Sequence, residues 1–304
     1  MKSFLIILLT VMLVQNSQTQ SWLDQQLYPF ESHFLELESG SLHYVDEGAG
    51  EVLLFVHGTP TWSFLYRDFI SELSKDYRCI AVDHLGFGLS DPQGSNFAGT
   101  PQAHAANLSA LIQKLDLQDI TLVVHDFGGP IGLGAALENE DRIKQVVAFN
   151  TWLWSTKENV VAQEIDQLLN SEVGEDLYLN QNFSPIVLLK QAFSDTSRLL
   201  PAVHQQYIAP FPSPTRRQSL LKIGKSFTGA SDWYQQQWER LDQLQEKDWL
   251  VLWGAKDPFL DVSFRDRWAQ RFPQAKVVSF DSGHFVQEEK AAEAIQVLQD
   301  WLRR

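Results

Sequence analysis

The chain has 304 residues, 44% of them hydrophobic and 12% aromatic, which is enough for one well-buried core or for a core with an inserted lobe. Acidic residues outnumber Lys and Arg by 38 to 24, so the formal net charge is -14. A charge of this sign makes nucleic acid and anionic membrane surfaces poor partners.

The first residues form a segment of their own. One lysine precedes an apolar run from Phe4 to Val14, and small and polar residues follow it. A helix needs about 20 apolar residues to span a bilayer, so this run is typical of a secretory signal peptide. We predict a signal peptide over residues 1–20, cleaved between Ser17 and Trp22, and a periplasmic or secreted protein without stable membrane association afterwards. An uncleaved anchor is the alternative.

The next segments predict a sheet that is mostly parallel. HFLELES and SLHYVDEG alternate in polarity and meet at Gly40, which predicts an antiparallel hairpin at a sheet edge. Six near-continuous apolar runs follow, mostly separated by helical patterns, as expected of parallel strands covered on both faces. This alternation predicts an α/β fold. The six runs are EVLLFVHG, YRCIAVDHLG, DITLVVHD, IKQVVAFN, DWLVLWGAKD and AKVVSFDSGH.

The alternation is interrupted once, between the fourth and fifth runs. Residues 155–227 contain no strand-like run, and their helical pieces are broken by Pro185, Pro201 and the segment APFPSPTRR. We predict a helical cap over residues 155–227, inserted into an α/β core formed by residues 21–154 and 228–304. The last predicted helix, VQEEKAAEAIQVLQDWLRR, has acids first and arginines last, which suits the helix dipole.

Polar residues are concentrated where the predicted strands end. In an open parallel sheet the chemistry gathers at the carboxyl ends of the strands. These ends carry His57-Gly58-Thr59-Pro60, Asp83-His84, His125-Asp126, Asn150-Thr151, Asp257 and His284.

Asp126 occupies the position at which many hydrolases carry a serine in G-x-S-x-G. No such serine motif occurs in the chain. An aspartate there could instead cap the following helix. Gly128 and Gly129 behind it, which allow a close backbone approach, and His284 further along favour a nucleophile.

These motifs together resemble the α/β-hydrolase fold family, and within it the haloalkane dehalogenases. The matching pieces are HGTPTWSFLYR, DHLGFGLSD, VVHDFGG, LWGAKDP and DSGHFVQEE, and the resemblance extends from about residue 28 to residue 304. It implies Asp126 as nucleophile, Asp257 as the acid that orients the imidazole, and His284 as base. Asp261 ranks second for the acid and could cap a helix.

The resemblance implies a reaction in two steps. Asp126 is already charged and can displace a leaving group from a saturated carbon, which gives an ester. His284 then deprotonates a water that attacks the Asp126 carbonyl. The backbone N–H groups of Thr59 and Phe127 would stabilise the oxyanion. The substrates are a small apolar molecule and water, and no metal or organic cofactor is needed.

The leaving group is where the chain departs from the family. Haloalkane dehalogenases typically hold the halide with a Trp after the nucleophile and with a second Trp, or an Asn at the position of Thr59. This chain has Phe127 and Thr59 there. We predict that Thr59 and an indole beyond the fourth strand run, Trp154 or Trp152, bind the halide or substrate.

The expected function is hydrolysis of carbon–halogen bonds in small haloalkanes. The alternatives are epoxide hydrolysis, with Tyr178, Tyr207 or Tyr234 as acid, another α/β-hydrolase of unknown substrate, and a degenerate member that binds a ligand without turnover. His57 and His125 are interpreted as structural residues that hold loops by hydrogen bonds. We expect a monomer or weak dimer.

Overall fold

The computed structural model describes residues 20–94 and 96–304, so the predicted signal peptide lies outside this part except for its last residue. Eight strands form one sheet within the described residues. They are β1 His33–Leu37, β2 Gly40–Glu47, β3 Val52–Val56, β4 Arg78–Val82, β5 Ile120–Val124, β6 Ile143–Phe149, β7 Asp248–Gly254 and β8 Lys276–Phe280.

The order across the sheet is β1-β2-β4-β3-β5-β6-β7-β8. β1 and β2 pair antiparallel, as the alternating segments predict, and β2 also runs antiparallel to β4. All later neighbours are parallel. Every residue of β3 and β5 is buried, because helices cover both faces of the central sheet.

Helices form a layer on each face of the sheet. A further group of helices is inserted in the chain between β6 and β7. Leu298 and Phe69 belong to the core on one face, and Leu108 and Trp268 to the core on the other. No helix of the described residues is long and apolar enough to cross a membrane. The α-helices are α1 Arg67–Leu73, α2 Pro101–Lys114, α3 Gly128–Leu137, α4 Val160–Leu169, α5 Glu172–Leu179, α6 Leu189–Gln191, α7 Pro201–Ile208, α8 Pro214–Gly229, α9 Ser231–Arg240, α10 Val262–Arg271, α11 Val286–Glu289 and α12 Ala291–Leu302.

Helices α4 to α8 occupy the segment that the sequence assigns to the cap, and hydrogen bonds fasten them to the core. Arg216 of α8 donates to the carbonyls of Gly88 and Ser90, both at 3.0 Å. Tyr207 of α7 donates to the carboxylate of Glu288 in α11. The cap therefore has a fixed position above the carboxyl ends of the strands.

Candidate active site

Asp126 lies in a strained turn between β5 and α3. Its φ is 52°, a conformation that costs a residue other than glycine about 1–3 kcal/mol. The turn also needs glycine behind it, because a Cβ added to Gly128 would lie 2.1 Å from the Val56 carbonyl oxygen. The Asp126 side chain does not cap α3: its Oδ1 accepts the Thr59 N–H at 2.8 Å. This turn holds the carboxylate above the carboxyl ends of the strands.

The structure brings His284 and Asp257 to this carboxylate. His284 Nε2 lies 3.5 Å from Asp126 Oδ2, and His284 Nδ1 lies 2.6 Å from Asp257 Oδ2. The other oxygen of Asp257 accepts the N–H groups of Phe259 and Leu260 at 2.8 and 3.1 Å. An aspartate fixed in this way holds the imidazole with its proton on Nδ1 and leaves Nε2 toward Asp126.

Asp261, the second candidate for the acid, has a different position. Its carboxylate caps α10 by accepting the Ser263 N–H at 2.8 Å. Asp257 is therefore the acid that reaches His284.

The two carboxylates determine the charge of His284. Burial by itself lowers the pKa of the imidazole, but the charges of Asp257 and Asp126 outweigh this effect and raise the pKa to about 10. The raised pKa favours the protonated imidazole, which lies within ion-pair distance of both aspartates. Removal of either negative charge would lower this pKa and favour the neutral form.

A cavity of about 150 Å³ lies over Asp126, between the core and the cap. Thr59, Phe127 and His284 line its core side, and apolar side chains of α4 and the following helices line its cap side. Cavities of about this size accommodate a benzene-sized molecule. Asp126 therefore faces a small, largely apolar cavity.

The structure separates the two candidate indoles. Trp152 lines the cavity, and its Nε1–H is buried without a hydrogen-bond partner. Its ring contacts those of Phe127 and Phe227, with centroids 4.9 and 4.7 Å away. The Thr59 hydroxyl is also buried, and neither donor has a partner among residues 20–94 and 96–304. Two residues with an unpaired donor thus line the cavity together with Asp126.

Trp154, in contrast, lies outside the lining of this cavity, so that of the two indoles predicted to bind the halide or substrate Trp152 is the one with the suitable position. Its ring packs against Trp238, Phe264 and Trp268, with centroid separations of 5.0–5.4 Å. Arg267 lies over its face at 4.6 Å. Aromatic packing and the cation over its face account for the position of this ring.

A model of the α/β-hydrolase fold family matches residues 51–291. The chain belongs to the α/β-hydrolase fold family. Within that family it is haloalkane dehalogenase-like, since it is 34% identical over 276 residues to "Haloalkane dehalogenase 2" of Mycobacterium tuberculosis, across 88% of this chain and 93% of that one. The fold and family predicted from the motifs are confirmed, and the chain is a hydrolase.

Two further comparisons bear on this hydrolase. It is 35% identical over 289 residues to a "Cis-3-alkyl-4-alkyloxetan-2-one decarboxylase" of Shewanella oneidensis, across 88% of this chain and 87% of that one. It matches the crystal structure of a mutant of the haloalkane dehalogenase DatA from Agrobacterium tumefaciens C58 with a TM-score of 0.79 and 25% identity, covering 90% and 97% of the two chains. Similar relatives thus carry names for two different reactions.

Of the three candidate tyrosines in this hydrolase, the structure places only Tyr178 at the cavity. Burial raises the pKa of its phenol to about 12. Tyr207 is bonded to Glu288, and the Tyr234 hydroxyl donates to the Ser226 carbonyl at 2.8 Å. Neither of these two tyrosines lines the cavity, and the hydroxyl group of each donates a hydrogen bond elsewhere.

Two histidines beside the site hold loops, as interpreted from the sequence. His57 Nδ1 donates to the Gly58 carbonyl at 2.7 Å, and its Nε2 accepts the His84 N–H at 3.0 Å. His125 Nε2 donates to the His284 carbonyl at 3.0 Å. Burial lowers the pKa of both imidazoles, so both are neutral.

Asn150 is a site residue whose role the sequence reasoning missed. Its Nδ2 donates to Asp257 Oδ2 at 2.7 Å, and its Oδ1 accepts the Gly254 N–H at 2.8 Å. It therefore fixes the acid from the end of β6. The available signal was an Asn directly after an apolar strand run, because an amide buried at such a place needs hydrogen-bond partners.

Proposed function

We propose that this hydrolase cleaves carbon–halogen bonds of small haloalkanes through an ester on Asp126 and releases alcohol and halide. The observation that carries the proposal is that one small apolar cavity is lined both by a carboxylate at a strained turn and by Trp152, whose N–H has no hydrogen-bond partner among the described residues. The first supplies a nucleophile and the second a donor for a departing anion. The "Haloalkane dehalogenase 2" relative supports this reading.

In the first step Asp126 Oδ2 attacks the carbon, a C–O bond forms, and the carbon–halogen bond breaks. The electron pair leaves with the halide. Oδ1 stays on the Thr59 N–H and becomes the ester carbonyl oxygen. Because Asp126 is charged beforehand, no base is needed for this step.

The second step needs a neutral His284. Esterification removes the charge of Asp126, one of the two that raise the pKa of the imidazole, so that pKa falls and the proton can leave. Nε2 then takes a proton from water, and the hydroxide adds to the Asp126 carbonyl carbon. The Thr59 N–H stabilises the oxyanion by about 3 kcal/mol. Collapse breaks the bond to the alcohol oxygen, which takes the proton from His284, and the water oxygen remains on Asp126. The carboxylic acid so formed passes its own proton to His284 Nε2, which restores the charged Asp126 and the protonated imidazole.

The halide is held by the Trp152 N–H and the Thr59 hydroxyl. Burying an anion without donors costs several kcal/mol, and these are buried, unpaired donors in the cavity lining. They replace the Trp and Asn that the family typically uses. With a hydroxyl in place of an amide donor, bromide and iodide should leave more readily than chloride.

A second candidate is decarboxylation of a small β-lactone, favoured by the 35% identity to the Shewanella decarboxylase. There the departing anion would be the substrate's own carboxylate. The cavity of about 150 Å³ favours a small haloalkane over a lactone that carries two alkyl substituents. Epoxide hydrolysis needs an acid, and of the three candidate tyrosines only Tyr178 lines the cavity.

The test is one substrate panel: 1-bromobutane, 1-chlorobutane, 1,2-epoxyhexane and a short cis-3,4-dialkyl β-lactone. We expect halide release, fastest from the bromide. Absence of halide release combined with diol or alkene formation would overturn the proposal. Loss of diol formation in Tyr178→Phe would identify epoxide hydrolysis, and alkene formation would identify lactone decarboxylation.

We also propose that the protein is exported, acts as a monomer or weak dimer, and has no stable membrane association after loss of residues 1–20. The apolar run from Phe4 to Val14 supports export.

A further inference from the structure

The side chain of Glu289 joins the loop that carries His284 to the cap. It is buried and accepts the Gly283 N–H at 2.7 Å. From the cap segment it accepts the Ser194 N–H at 3.1 Å, the Ser194 hydroxyl at 2.6 Å and the Asp195 N–H at 3.0 Å. A buried carboxylate with this many donors on it has a strongly specified position.

Backbone packing tightens the same junction. The His284 N–H donates to the Ala192 carbonyl of the cap segment at 2.8 Å. A Cβ added to Gly283 would lie 2.2 Å from that carbonyl oxygen and 2.9 Å from Glu289 Oε1. On the other side, a Cβ added to Gly254 would lie 1.8 Å from the Gly283 carbonyl oxygen. The His284 loop is thus enclosed between the cap and the end of β7.

We propose that Glu289 is a positioning residue for the second step. It fixes the His284 loop so that Nε2 stays beside the Asp126 carbonyl when the ester forms. A misplacement of about 1 Å can reduce a catalytic rate by about 10²-fold. The attack by Asp126 needs no base, so a displaced His284 slows ester hydrolysis and leaves ester formation largely unaffected. This inference rests on the proposed function for its kinetic form.

The neighbouring Glu288 supplies a matched control. It is also a buried carboxylate in α11, but its bonds go to Arg67, at 2.5 and 2.8 Å, and to Tyr207. It fastens the cap to the core without a bond to the His284 loop.

The kinetic experiment compares Glu289→Gln with Glu288→Gln. Glutamine keeps the size of the side chain but replaces one acceptor oxygen with an NH₂ group, which cannot accept from a backbone N–H. In one orientation the variant loses the bonds from Gly283 and Ser194, and in the other it loses those from Asp195 and Ser194. With 1-bromobutane, Glu289→Gln should release the first equivalent of bromide within about threefold of the wild-type rate, while turnover falls about tenfold or more. Intact-mass spectrometry should show an accumulated butyl ester. Glu288→Gln should lower Tm without accumulating ester.

A second readout needs no substrate. The His284 Nδ1–H, hydrogen-bonded to Asp257 at 2.6 Å, should give a low-field proton resonance. That resonance should shift or broaden in Glu289→Gln and stay in place in Glu288→Gln. If Glu289→Gln does not fold, Ser194→Ala removes one donor and should show the same changes to a smaller degree.

The outcomes separate the two proposals. A wild-type protein inactive on every bromoalkane contradicts the proposed function, and the resonance then decides the role of Glu289 alone. An unchanged resonance, or equal slowing of both steps without ester, overturns the positioning role. So would ester accumulation in Glu288→Gln to the same extent.

Discussion

Two carboxylates, those of Asp257 and Asp126, raise the pKa of His284, and only the charge of Asp126 is removed in the proposed reaction. Nε2 is 3.5 Å from Asp126, and the imidazole is raised to a pKa of about 10 while both neighbouring aspartates are charged. A protonated imidazole cannot accept a further proton. In the proposed mechanism the ester removes the charge of Asp126 and lowers this pKa, so that formation of the ester would prepare His284 to act as a base in the next step.

Replacement of Asp126 by Asn imitates the uncharged ester and should lower the pKa of His284. The sign follows from the loss of a negative charge that favours the imidazolium, while the burial that disfavours it remains. An NMR titration of the His284 ring in wild type and Asp126→Asn measures the difference. In the wild type, ester hydrolysis should correspondingly fall at acidic pH. A pKa that is unchanged or raised in the variant would contradict this account of the base.

Trp152 should be the indole that assists the leaving group. Trp152→Phe keeps an aromatic ring and removes the N–H, and it should slow bromide release about tenfold or more if the bond contributes about 1.5–3 kcal/mol. Trp154→Phe is the matched control, since that ring packs outside the cavity. Stopped-flow bromide release from 1-bromobutane gives both rates. Equal slowing, or a larger effect of Trp154→Phe, would remove Trp152 from the leaving-group site.

At the scale of elements, the site depends on how closely α3 approaches β3. Gly128 begins α3 directly against the Val56 carbonyl, and Gly129 lies against the Thr151 hydroxyl. These contacts determine the position of Asp126 relative to the carboxyl ends of the strands. The strained φ of Asp126 persists because the backbone on both sides of the turn is fixed in this way.

Two alanine substitutions in helices should therefore have opposite effects. Gly128→Ala places a methyl group against backbone that has no room to move, and should lower the free energy of unfolding by about 1–3 kcal/mol or more. Gly229→Ala, at the end of α8, has no atom within 4 Å of the added Cβ and should raise it by about 0.5–1 kcal/mol. Urea unfolding followed by circular dichroism measures both. If both variants were destabilised equally, the space around the added methyl group would not determine the change in the free energy of unfolding, which would contradict this account.

At the scale of the whole molecule, the sequence predicted the sheet, the cap and the residues that meet at Asp126. It could do so because buried parallel strands have continuous apolar runs and because their carboxyl ends share one edge. The direction of an indole beyond a strand end is decided by distant aromatic partners, which no local pattern contains, so Trp154 and Trp152 could not be separated. Glu289 resembled an ordinary acid at a helix start, because its partners on the cap lie 94 and 95 residues away.

The apolar run from Phe4 to Val14 predicts that the protein is exported. Expressed with its own N-terminus in a bacterium, the protein should be recovered from the periplasm with a mature start after the apolar run, between about residues 18 and 23. N-terminal sequencing of the purified protein determines this. A soluble cytoplasmic protein that retains Met1 would contradict the prediction.

The most direct test of the central claim is intact-mass spectrometry of His284→Phe after incubation with 1-bromobutane. The account predicts one equivalent of bromide released and a stable protein whose mass has increased by one butyl group in place of one proton. Peptide mapping should locate that group on Asp126, and Asp126→Ala should show neither bromide nor adduct. Bromide release without an adduct, or an adduct that also forms in Asp126→Ala, would contradict it.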